Sequence, residues 1–150
     1  MDLTIKNIDN KIHEDGSVLS THEIEPLERG FGITLGNTFR RICLSHLEGT
    51  SVTSVRIEGI THEFSTIKGV AEDVVEIILN LKSLVFKTDL KETFTAEINF
   101  TGPGEIKGKD LQLPAGIEIV NQEQIIATVT DSVEFKAEIT GRSGRGYVLA

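Results

Sequence analysis

The chain has 150 residues, 39% hydrophobic and 25% charged, which suits one ordinary domain or two small ones and excludes an intrinsically disordered polymer. A formal net charge of −8 argues against broad nucleic-acid binding, and a lone cysteine, Cys43, excludes an internal disulfide and a cysteine-rich zinc site. No apolar run approaches the roughly 18 residues that cross a bilayer, and MDLTIKNIDNKIHEDG lacks the regions of a signal peptide, so the expected location is cytoplasmic with no membrane contact.

Residues 1–24 read as an extended or hairpin-like start, with SVLSTHEIEPL as a strand candidate. Pro26 and Gly30-Phe31-Gly32 then punctuate the chain. From Thr34 to about Leu47 the spacing predicts a helix, with Thr34 as N-cap and Gly49 as stop. At about 100° per residue, Leu35, Phe39, Ile42, Cys43 and His46 share one face. The opposite face holds Asn37, Arg40, Arg41, Leu44 and Glu48, an apolar centre with an arginine-rich border. The wide apolar face of this helix has little in residues 1–33 to bury against, so it expects cover from the sheet, a second copy or further chain.

SVTSVRIEG reads as a strand and ITHEFSTIKG as a connecting loop. VAEDVVEIILNLK, residues 70–82, predicts a second helix whose apolar face is Val70, Val74, Ile77, Ile78 and Leu81, widened by Val75 and Leu79. Glu72 and Asp73 favour the positive end of its dipole. The pattern then turns to period two. Phe94, Ala96, Ile98 and Phe100 alternate inward in one strand, and Val133, Phe135, Ala137 and Ile139 in another. GIEIV and IIATVT are shorter strand candidates, TGPGEIKGKD reads as a loop, and GRSGRGYVLA as a mobile turn. The expected class is α+β, with a mostly antiparallel sheet covered by helix 70–82.

The chemistry-bearing patterns are thin. Gly30-x-Gly32-x-x-x-Gly36 is one residue off the dinucleotide fingerprint, and no clear strand feeds it. A turn at Gly30 and Gly32, with close helix packing at Gly36, is the better account of it. His13, His22, His46 and His62 have no metal-ligand spacing, so no metal is expected. Cys43 and His46 lie on an apolar face, where packing is their ordinary role. No catalytic residue is expected in this chain. Arg40 and Arg41 fit a solvated helix face, but Leu44 one turn away also fits docking onto another protein.

EPLERGFGITLGNTFRRICLS closely resembles the signature of the N-terminal domain of bacterial RNA polymerase α subunits. VTSVRIEGITHEFSTIKGVAEDVVEIILNLKSLVFK and GRGYVLA resemble further segments of the same family, so the resemblance covers most of residues 21–150. Thr38-Phe39 and Cys43 stand where the family more often has alanine-leucine and leucine.

The resemblance implies a non-catalytic assembly platform of DNA-directed RNA polymerase that forms a homodimer and docks the β and β′ subunits in transcription. It implies β docking by Asn37, Arg40, Arg41 and Leu44 on the helix and by His62, Glu63, Ser65 and Thr66 in the following loop. Phe31, Leu35, Phe39, Ile42, Cys43 and His46 would form the dimer or core face. No cofactor and no direct nucleic-acid contact are implied. The implied fold has two subdomains, residues 1–50 starting a dimerisation subdomain and 51–150 an inserted β-rich one. A returning strand and second dimerisation helix are expected outside these 150 residues, so self-association and β′ binding rest partly on chain beyond them. The alternatives are a truncated product without function, or a nucleotide- or anion-binding protein that uses the glycine-rich helix start.

Overall fold

The computed structural model describes residues 2–149, which form two compact units: residues 2–47 with 145–149, and residues 48–144. The division at 47/48 lies three residues from the sequence-based one at 50/51, whereas the division at 144/145 is absent from that reading, which assigns residues 51–150 to one subdomain.

In the first unit, β1 (Thr4–Ile12) and β2 (Val18–Glu25) form an antiparallel hairpin. Asp15 closes its loop by accepting the Ser17 backbone N–H at 2.9 Å and the Ser17 hydroxyl at 2.6 Å. Helix α1 (Phe31–Ser45) follows. It begins three residues before the expected Thr34, because Gly30 takes φ 89° and turns the chain directly into the first helical residue. Thr34 lies inside the helix, where its carbonyl accepts the Thr38 hydroxyl at 2.8 Å. Nor does Gly49 end the helix: α1 stops at Ser45, His46 is its C-cap, and Gly49 belongs to the next strand.

The second unit holds every fully buried apolar side chain among the described residues, from Ile57 to Ile139. Its strands are β3 (Glu48–Ile57), β4 (Phe86–Thr88), β5 (Phe94–Thr101), β6 (Gly104–Lys107), β7 (Ile117–Ile119), β8 (Ile125–Val129) and β9 (Glu134–Arg145). They form not one sheet but three: β3-β9-β5, β4-β7 and β6-β8. The long β5–β9 pair sets Ala96 opposite Ile139, Ile98 opposite Ala137 and Phe100 opposite Phe135, so the period-two residues face one core.

Two segments read as loops are strands. β6 occupies part of TGPGEIKGKD; its single apolar residue, Ile106, is fully buried opposite Ala127. One apolar position in four is too weak a period-two signal to read. β9 runs on through Gly141 to Arg145 because Gly141 pairs with Phe94, and its missing side chain leaves room for the Phe94 ring. That ring also packs on Phe86, with centroids 5.5 Å apart.

Helix α2 (Val74–Lys82) starts four residues later than expected. Asp73 is its N-cap and accepts the Glu76 backbone N–H at 2.8 Å, while the Glu76 carboxylate accepts the Asp73 N–H at 3.2 Å. This reciprocal capping box fixes the start more firmly than the apolar period of residues 70–82 suggests. Val74, Ile77 and Leu81 are buried against the core and Ile78 is half-buried, but Val75 and Leu79 face outward rather than widening the buried face.

Candidate functional site

Within the first unit, helical geometry sets Asn37, Arg40, Arg41 and Leu44 along one side of α1. All four are exposed, and among the described residues neither guanidinium meets a carboxylate within ion-pair distance. Leu44 is 63% exposed. Ile33, at 76%, lies on the same side eleven residues earlier and extends the apolar centre. The sequence reading missed Ile33 because it placed this residue before the helix.

The other side of α1 carries Phe31, Leu35, Phe39, Ile42, Cys43 and His46. Leu35 is half-buried and the rest are exposed, so no residue of α1 is buried. Cys43 and His46 are therefore not packing residues among the described chain: Cys43 is a free, exposed thiol, and His46 Nδ1 lies 2.6 Å from the Ser45 hydroxyl. Gly36 has nothing within 4 Å of where a Cβ would stand, so it does not serve a close packing contact here. Gly30 serves the turn into the helix, whose first turn carries no acidic residue.

The second group, His62, Glu63, Ser65 and Thr66, lies in the second unit on the segment between β3 and α2. These residues surround one tight turn. The Ser65 backbone N–H reaches the His62 carbonyl at 3.4 Å, and the Ser65 hydroxyl lies 3.2 Å from His62 Nδ1. Glu63 and Phe64 form the tip, and Phe64 is 81% exposed. The Ser65 carbonyl accepts the Val74 N–H at 3.2 Å, and Thr66 bridges to Asp73. The turn is thus held at the start of α2. Phe64 was passed over in the sequence because a phenylalanine in a loop is ordinarily turned inward.

The rest of this segment is tied to β8 and the chain after it. Ala71 donates to the Thr128 carbonyl at 2.9 Å, and Thr130 donates to the Gly69 carbonyl at 2.8 Å. Glu72 accepts from both the backbone and the hydroxyl of Thr128. Of the two carboxylates expected at the helix dipole, Asp73 stands there as the N-cap, while Glu72 is taken up by Thr128.

Hollows elsewhere in this unit are shallow. One of about 480 Å³ lies over the outer surface of β3, β9 and β5, lined by Arg56, Glu58, Glu97, Lys136 and Glu138. Arg56 pairs there with Glu138 at 3.2 Å. Among the described residues no three His, Cys, Asp or Glu side chains converge as metal ligands, and no helix is long and apolar enough to cross a membrane.

The arrangement is that of an α+β protein, mostly antiparallel strand with two α-helices, whose candidate residues are mostly exposed. Residues 55–150 match the family described as the RNA polymerase Rpb3/RpoA insert domain. The chain belongs to that family. It is 54% identical over 127 residues to the DNA-directed RNA polymerase subunit alpha of Leifsonia xyli subsp. xyli, covering 85% of this chain and 38% of the relative. The subunit of the same name from Tropheryma whipplei is 52% identical over 127 residues, covering 85% and 39%. That of Chlorokybus atmophyticus is 46% identical over 146 residues, covering 97% and 46%. The chain thus spans roughly two fifths of the length of curated relatives that it matches.

Proposed function

We propose that this chain acts as the α subunit of a DNA-directed RNA polymerase, an assembly platform and not a source of catalytic groups. The outer face of α1 docks the β subunit. Its carrying observation is the exposed apolar pair Ile33 and Leu44, bordered by Asn37, Arg40 and Arg41. Apolar anchors inside a ring of arginine and amide groups match the anatomy of protein interfaces. Each guanidinium can fork onto a carboxylate of the partner.

The loop residues His62, Glu63, Ser65 and Thr66 add a second contact region for β. The opposite side of α1, with Phe31, Phe39 and Ile42 about half exposed, serves self-association into a homodimer. The β′ subunit completes the assembly. This role asks for no cofactor or metal on this chain, and nucleotidyl transfer belongs to the assembled polymerase.

The test is binding of purified β and β′ subunits to this immobilised chain. Light scattering of the free chain reports self-association in parallel. Saturable capture of β by a chain that unfolds cooperatively is the expected result. Absence of capture by such a folded chain would overturn the reading.

A further inference from the structure

We draw no further inference here: the strongest candidate, the shallow hollow over the outer surface of β3, β9 and β5, is lined by the solvent-facing charges of Arg56, Glu58, Glu97, Lys136 and Glu138, with no buried polar group among the described residues aimed into it, and nothing in the structure shows what covers it.

Discussion

The Glu72 carboxylate accepts the backbone N–H of Thr128 at 2.6 Å and the Thr128 hydroxyl at 3.0 Å, fifty-six residues away in sequence. Both bonds are part-buried, and they fasten the segment before α2 onto β8. Glu72→Ala leaves the Thr128 N–H unpaired in a half-covered site, and is expected to lower stability by about 1–3 kcal/mol. Amide exchange across residues 65–73 should quicken more than in β5 and β9. Equal protection in wild type and variant would show that other bonds hold this segment.

Gly69 and Gly30 separate two costs of a side chain. Both have positive φ, +81° and +89°. A Cβ at Gly69 would stand 2.7 Å from Val133 Cγ2, whereas Gly30 has nothing within 4 Å. Gly30→Ala is expected to cost about 1 kcal/mol, the backbone penalty alone. Gly69→Ala adds displacement of a packed valine and should cost roughly 1–3 kcal/mol more. Urea midpoints of the two variants check the order, and equal losses would contradict it.

Helix α2 offers a control on its own face. Ile77 is 1% exposed and Leu79 is 55% exposed. Ile77→Ala should cost about 2–5 kcal/mol through lost burial and a residual cavity. Leu79→Ala should stay within about 0.5 kcal/mol. Similar losses at both positions would restore the wider buried face that periodicity alone suggested.

Glu123 bridges Lys107 at 2.8 Å and Lys109 at 3.3 Å. The hydrogen bond from Lys107, then that from Lys109, holds the Glu123 carboxyl below its ordinary 4.5. The Glu123 bond in turn raises Lys107 above 10.5. A lowered carboxylate stabilises the fold above its unfolded value, and that contribution is lost as pH falls from about 4.5 through the folded value. A raised ammonium stabilises below 10.5, and its contribution is lost as pH rises through the folded value. Glu123→Gln should therefore flatten the stability curve in both windows, and salt should weaken the wild-type effect because these groups face solvent. Parallel curves for the two proteins would contradict the pairing.

The legibility of this chain followed the strength of each local signal. Phe94, Ala96, Ile98 and their partners on β9 stood out because strict alternation over eight residues has few other meanings. Val74, Ile77 and Leu81 were legible for the helical counterpart of that reason. The α2 start was misplaced because the Asp73–Glu76 box ends the helix against an apolar period that runs on to Val70. The strand at Gly141 was hidden because the glycine's reason is the Phe94 ring, a contact made forty-seven residues away. At the candidate site, Arg41 and Leu44 could be read from helical spacing. Ile33 needed the true helix start, and Phe64 needed the bonds that hold its turn.

The most direct test of the account is β-subunit binding by the wild-type chain, Arg41→Ala and Arg41→Lys, with unfolding of each followed by circular dichroism. Arg41 is exposed, so its truncation should leave unfolding unchanged. The account predicts that Arg41→Ala binds β about tenfold or more weakly, and that Arg41→Lys recovers only part of the loss because an ammonium cannot fork onto a carboxylate. Wild-type affinity in a folded Arg41→Ala chain would contradict docking through this face of α1.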